Sequence, residues 1–151
     1  MDAADRERAL TALESGRRAV LATIRSDGRP RLLPIAYAAD WGGAEIVIYT
    51  AIDEKPKISL DPRALARVRD IQRRSDVAVL VDFWSEDWSE LEWVRLDGRA
   101  LLIDPAVAGH TNEHRRAIDL LRRRYPQYET QRLEDRPVIR IVVEHVTSWS
   151  A

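Results

Sequence analysis

From Ala19 to Lys57 the chain alternates short apolar runs with tight reversal signals, and no other feature limits the possible folds as strongly. Val20 to Ile24 is apolar and partly β-branched, and Ser26-Asp27-Gly28-Arg29-Pro30 supplies the Asp-Gly chemistry of a reversal between paired strands. From Arg31 to Ala39, Arg31, Leu33, Ile35 and Tyr37 fall on one parity and Leu32, Pro34, Ala36 and Ala38 on the other, so neither face reads as fully solvated. Pro34 cannot donate a ladder hydrogen bond, which predicts an edge, a bulge or a stretch of backbone left open for something to dock. Trp41-Gly42-Gly43 then turns the chain into Ala44 to Ala51, where Ile46, Val47, Ile48 and Tyr49 have strand composition.

The remaining segments fit around these strands. Residues 2 to 15 suit a helix, with Asp2 or Asp5 as N-cap, Ala9, Leu10 and Leu13 on one stripe, and Gly16 as the stop. This helix is expected to lid one end of the sheet. Asp61-Pro62 opens a second helix with Leu65, Val68 and Ile71 at helical spacing and Arg63, Arg67, Arg69, Arg73 and Arg74 on a solvated outer face. Val77 to Phe83 is apolar on both parities until Asp82, which predicts a central strand buried on both sides. Trp84 to Glu92 reads as a loop, and Trp93 to Ile103 as a strand interrupted by Gly98, where a bulge or a close backbone approach is expected. A third helix runs from about Thr111 or Asn112 to Tyr125, carrying Ile118, Leu121 and Tyr125 inward and Arg115, Arg116, Arg122 and Arg123 outward, before Pro126 stops it. Val138 to Val146 is the last strand.

Six strands joined mostly by short connections, with three helices inserted among them, predict a mainly β (α+β) domain with an antiparallel sheet. Several strands are apolar on both faces, and curling into a small closed barrel satisfies them better than a flat sheet with one wet face. At 151 residues, with no linker-like run, the chain is expected to form one domain over 1–151. So small a barrel is filled by its own side chains. A sizeable ligand therefore sits outside it, against a strand edge or a partner copy, and a homodimer is the simplest source of such a cleft.

Composition excludes several chemistries. There is no cysteine, so disulfides, thiolate metal sites and cysteine nucleophiles are ruled out. His110, His114 and His145 are too scattered for a zinc motif, and no nucleophile-elbow or Gly-rich phosphate loop occurs, so no metal site is expected. The acids Glu86, Asp87, Glu90 and Glu92 read as an exposed loop with no catalytic role. The apolar runs are too short to span a bilayer and the N-terminus is too polar for a signal peptide, so a cytoplasmic protein is expected, without a membrane partner. Twenty-four basic residues against 25 acidic ones give a net charge of -1, which argues against nucleic acid and confines any anion site to a local cluster. Lys55-Pro56-Lys57 is such a cluster: two ammonium groups at a fixed spacing, just after a strand and ahead of a helix, within reach of a phosphate. Five tryptophans against one phenylalanine is the unusual count, and partly wet indoles also line pockets for flat ligands.

Val20-Leu21-Ala22-Thr23-Ile24, Asp27-Gly28-Arg29-Pro30, Leu33-Pro34-Ile35, Ile48-Tyr49-Thr50 and Lys55-Pro56-Lys57, in that order, resemble the opening of the pyridoxamine-phosphate-oxidase-like split β-barrel flavin or deazaflavin proteins. Val77 to Val81, Trp93-Val94-Arg95, Gly98-Arg99-Ala100 and Ile139 to Trp149 are similar to the later family strands, so the resemblance covers nearly the whole chain. Asp87-Trp88-Ser89 and Trp93-Val94-Arg95 look most like the branch that uses coenzyme F420 in place of FMN. The resemblance implies an antiparallel FMN-binding-type split barrel and a homodimer. It implies that Leu33, Pro34 and Ile35 meet the tricyclic ring, that Thr50 and Ala51 flank its tail, that Lys55 and Lys57, spaced by Pro56, hold the phosphate, and that Trp88 comes from the second subunit or the rim. The activity implied is hydride transfer between reduced F420, or alternatively FMN, and a small organic acceptor, with no protein nucleophile. The alternatives are a simple flavoprotein and a non-enzymatic module for a ligand or nucleic acid. Vitamin B6 oxidation is not expected, because the arginine- and histidine-bearing extension that serves it is lacking.

Overall fold

The computed structural model describes residues 1–53 and 61–151. Helix α1 (Ala3–Ser15) is followed by strands β1 (Ala19–Ile24), β2 (Pro30–Ile35), β3 (Ala38–Asp40) and β4 (Val47–Ala51). Then come a 3-10 turn at Pro62–Ala64, helix α2 (Ala66–Arg73), strands β5 (Asp76–Phe83) and β6 (Glu92–Ile103), helix α3 (Thr111–Arg124) and strand β7 (Val138–Ser150). The strands form one antiparallel sheet in the order β2-β1-β5-β6-β7-β4-β3.

The two edges of this sheet, β2 and β3, are consecutive in the chain, with Ala36 and Tyr37 alone between them. Three residue steps reach about 10 Å at most. The sheet is therefore forced to curl until its edges nearly meet, yet no ladder joins β2 to β3 among the described residues. The barrel is split rather than closed. It has seven strands instead of the expected six, because the run from Arg31 to Ala39 is two strands. The break lies where Tyr37 leaves the ladder: its ring is fully buried, its hydroxyl lies 2.8 Å from the Leu13 carbonyl and 3.0 Å from that of Gly16, and its N–H donates to the Tyr125 hydroxyl at 3.1 Å.

Two apolar clusters explain the strands with two apolar faces. Inside the barrel, Leu21, Ile48, Val79, Leu96 and Ile141 pack with Ala9 and Leu13 of α1, the helix that lids it. Outside it, α3 lays Ala117, Ile118 and Leu121 on Tyr49, Ala51 and Val138. β4 is thus buried on both faces, by the barrel on one side and α3 on the other. β5 is interior in the sheet, as expected, but only Val77, Val79 and Val81 are fully buried and the opposite face is half-exposed.

Local signals behave as their chemistry dictates. Gly28 has φ +83°, the left-handed region that the Asp-Gly turn requires. At Gly98 the β6/β7 register shifts, and a Cβ there would fall 2.2 Å from the Val142 carbonyl oxygen, so the bulge depends on having no side chain. Asp2 caps α1 by accepting from the Asp5 N–H, and Asp61 caps the 3-10 turn by accepting from the Arg63 N–H. Among the described residues no helix is long and apolar enough to cross a membrane.

Candidate functional site

At the split, the edge strand β2, the end of β4 and helix α2 enclose a cavity of about 170 Å3. β2 contributes Leu33, Pro34 and Ile35 and the residue after it, Ala36; β4 contributes Thr50 and Ala51. Five of the residues singled out in the sequence therefore meet in one place. An edge strand leaves every second backbone N–H and C=O unpaired, and Pro34 presents no N–H at all, so this wall offers carbonyls, scattered donors and apolar side chains. Thr50 is buried, and its hydroxyl donates to the Ala36 carbonyl at 2.8 Å, which ties β4 to the chain as it leaves β2.

The polar end of the cavity is built by Asp53, Arg67 and Tyr128. Asp53 is buried, and the Tyr128 hydroxyl donates to its carboxylate at 3.4 Å while Arg136 donates to its carbonyl at 3.2 Å. Burial, and then the neighbouring Asp53 charge, push the Tyr128 phenol well above its ordinary value. Arg67 is half-buried, and burial pulls its pKa down while the Asp53 charge, acting through space, opposes that shift. Among the described residues its guanidinium makes no hydrogen bond or salt bridge. A desolvated cation without a hydrogen-bonded partner in a concave site is a receptor for an anionic or acceptor-rich group. Helical spacing alone puts Arg67 on a solvated face of the second helix, and the structure corrects that expectation. Arg67 flanks the apolar stripe, one turn from Asp70 and Ile71, and the curl of the sheet brings it over the β2 edge.

α2 is pinned at both ends, which fixes where Arg67 sits. Before it, Arg63 donates twice to Asp104, at 2.6 Å through both Nε and an Nη, and this pairing holds the Asp104 carboxyl below its ordinary value. Within it, Asp70 is buried and accepts from Arg31 of β2 at 2.7 Å and from Thr23 of β1 at 2.8 Å. Burial alone would raise the Asp70 carboxyl, but these two hydrogen bonds and the charges of Arg31 and Arg73 outweigh it and hold it low. Neither Arg63 nor Arg73 is therefore simply solvated. On α3, Arg122 likewise departs from its expected outward role: it is partly buried, donates to the carbonyls of Tyr128 and Gln131, and pairs with Glu134.

Lys55, Pro56 and Lys57 lie outside the described residues. Trp88 sits in a 3-10 turn, Trp88–Glu90, within the loop from β5 to β6; it is exposed and is not among the residues that line the cavity of its own protomer. Among the described residues no three His, Asp or Glu side chains are grouped to hold a metal ion.

The family model described as pyridoxamine 5'-phosphate oxidase matches residues 6–150. No curated protein matches the sequence. Among solved structures, a conserved hypothetical protein of Mycobacterium tuberculosis is similar at 22% identity and a TM-score of 0.71, over 99% of this chain and 85% of the other. An FAD-binding protein of Mesorhizobium loti aligns at 21% identity and a TM-score of 0.64, over 98% of this chain and 94% of the other. The heme storage protein HutZ of Vibrio cholerae aligns at 11% and 0.63, over 95% and 92%. At these identities the similarity establishes the fold alone.

Proposed function

The chain belongs to the pyridoxamine 5'-phosphate oxidase family, and from that premise we propose that it is a homodimeric oxidoreductase moving a hydride between coenzyme F420 and a small organic acceptor. The observation that carries this reading is the cavity at the split, where the half-buried Arg67 guanidinium, which makes no hydrogen bond to a described residue, stands beside the open edge backbone of β2 with the Asp53 carboxylate nearby. The residues present fit a group with a flat, partly apolar body and an anionic tail. Leu33 to Ala36 provide an apolar and hydrogen-bonding wall for the body, and Arg67 provides charge for the tail, joined by Lys55 and Lys57 two and four positions beyond Asp53 in the sequence. When bound, such a cofactor supplies the hydride chemistry itself. The tasks left to the chain are to bind and orient it: the β2 edge aligns the flat body, Thr50 keeps the Ala36 carbonyl in place, and Asp53 with Tyr128 sets the charge balance around Arg67.

A cavity of about 170 Å3 is smaller than the roughly 300–1,000 Å3 of sites that enclose a whole ligand. In the proposed homodimer one protomer supplies part of the wall and a second copy the rest, with Trp88, exposed and outside the cavity of its own chain, assigned to that contribution or to the rim. FMN is the second reading, favoured by the similarity to an FAD-binding protein. Titrating the protein with F420 and with FMN side by side, following cofactor fluorescence, separates the two. The expected result is saturable binding of one of them, weakened in the Lys55→Ala/Lys57→Ala double variant. Unchanged affinity in that variant rejects the lysine clamp, and binding of neither cofactor rejects the redox reading.

A further inference from the structure

The cavity at the split brings a buried carboxylate, Asp53, to the same end as Arg67. An anion drawn in by the guanidinium is opposed by that carboxylate, and like charges repel more strongly in a desolvated site than in water. The hydroxyl protons beside them are already committed. Tyr128 donates its proton to the Asp53 carboxylate at 3.4 Å, and Thr50 donates its own to the Ala36 carbonyl at 2.8 Å. Burial pushes the Tyr128 phenol up, so this proton stays in place across the neutral range. Among the side chains that line the cavity, Arg67 is therefore the remaining donor, and Asp53, with the oxygens of Tyr128 and Thr50, supplies the acceptors. Pro34, which presents no N–H, adds no donor on the β2 wall.

This balance sets a condition on the ligand. An anion without a hydrogen of its own satisfies Arg67 but leaves its charge against the Asp53 carboxylate. One that brings a hydroxyl gives oxygens to Arg67 and a hydrogen to Asp53, so that the repulsion is replaced by a charge-assisted hydrogen bond. Whatever else the carboxylate accepts, its charge imposes this difference. A buried acceptor suited to a hydroxyl rejects the analogue that lacks it far more strongly than an apolar wall rejects a missing methylene.

We propose that Arg67 and Asp53 form a subsite for an oxyanion accompanied by a hydroxyl, carried either on the anion itself, as in a singly ionised phosphomonoester, or on the chain next to it. The inference deepens the proposed function and rests on its reading that this cavity takes the anionic end of a ligand, not on which cofactor brings it. The test is amide NMR titration of the full chain with two pairs of small probes, read at Ala36, Thr50 and Ala51. At about pH 5 methyl phosphate keeps one proton, its second pKa being roughly 6, and methyl sulfate has the same shape and charge without it. Isethionate and propane-1-sulfonate, compared near neutral pH, differ in a hydroxyl on the chain. A hydroxyl-bearing probe is expected to bind about tenfold or more tightly than its partner in at least one pair, and that pair identifies where the hydroxyl belongs. Asp53→Asn, whose amide both donates and accepts, is expected to bring the pair within about threefold by tightening the hydroxyl-free member, whereas a merely structural Asp53 would weaken both members alike. Arg67→Ala is expected to weaken binding of all the probes. Equal affinities within both pairs, a preference that survives Asp53→Asn, or no binding of any probe each overturns the proposal. A preference for the hydroxyl in a protein that binds neither F420 nor FMN upholds it and rejects the redox reading alone.

Discussion

Arg67 holds a charge where burial disfavours it, and no hydrogen bond from a described neighbour compensates that cost. Replacing it with alanine is therefore expected to cost little folding stability while weakening binding of the anionic cofactor about tenfold or more, the usual weight of a charge-assisted hydrogen bond, read by fluorescence titration. Asp70 is the opposite case. It is buried and fully engaged, so Asp70→Asn is expected to destabilise the fold by about 1–3 kcal/mol in urea unfolding near neutral pH. Its carboxyl is held below the unfolded value of roughly 3.9, so the stability it contributes is present above that value and is lost as pH falls through the lower folded value. The wild-type curve of stability against pH should accordingly fall more steeply than that of Asp70→Asn between about pH 5 and pH 2. Both residues are visible in the sequence as charges on a helix. Periodicity places Leu65, Val68 and Ile71 on the buried stripe but gives no account of positions 67 and 70 at its margin. Asp70 is buried through its contacts with Thr23 of β1 and Arg31 of β2, and Arg67 through the cavity it shares with β2, Asp53 and Tyr128; both are tertiary facts.

Beside its core packing, the Tyr37 hydroxyl and the Arg6 hydrogen bonds to the carbonyls of Trp41, Gly43 and Ala44, α1 is tied to the barrel by Arg124, the last residue of α3. Arg124 donates to the Leu13 carbonyl at 3.0 Å and to that of Gly16, and its guanidinium lies 4.8 Å from the centre of the Tyr37 ring. A cation at the C-terminal end of a helix also meets the negative end of the helix dipole. Arg124→Ala is expected to loosen α1 and lower the thermal midpoint by several degrees, with amide exchange accelerating in Ala9 to Ser15 before the sheet is affected. Gly98 sets the β6/β7 bulge, and Gly98→Ala would drive a methyl into the Val142 carbonyl; a loss of about 1–3 kcal/mol or more is expected in urea unfolding. Gly98 was legible because a lone glycine inside a strand weakens it unless a bulge or a close backbone approach requires the missing side chain. Gly16 was legible as a helix stop for an incomplete reason: its φ is -71°, and what demands glycine there is the close approach of Val81 and Tyr37, within 2.7 and 2.8 Å of any Cβ. The division of β2 from β3 was hidden, because apolar residues continue on both parities through Ala36 and Tyr37. The break is made by Tyr37 reaching the carbonyls that end α1, and no local pattern encodes that contact.

At the scale of the whole molecule, a two-residue link holds the two edges of the sheet close with no ladder between them among the described residues, and the unclosed seam is where edge backbone, a buried threonine and an arginine without a described hydrogen-bond partner come together. The barrel and its antiparallel order were legible from turn chemistry and two-faced strands. The seam became legible only through Pro34, whose missing donor marks β2 as an edge. The central claim is that this seam holds a flavin-type redox cofactor, and amide NMR tests it most directly. Addition of F420, or of FMN, to isotope-labelled protein is predicted to shift the backbone signals of Leu33, Ile35, Ala36, Thr50 and Ala51 above all others, and to shift them far less in Arg67→Ala at the same cofactor concentration. Saturable binding of either cofactor with the largest shifts elsewhere, or no shift at these five amides at any concentration of either, would contradict the account.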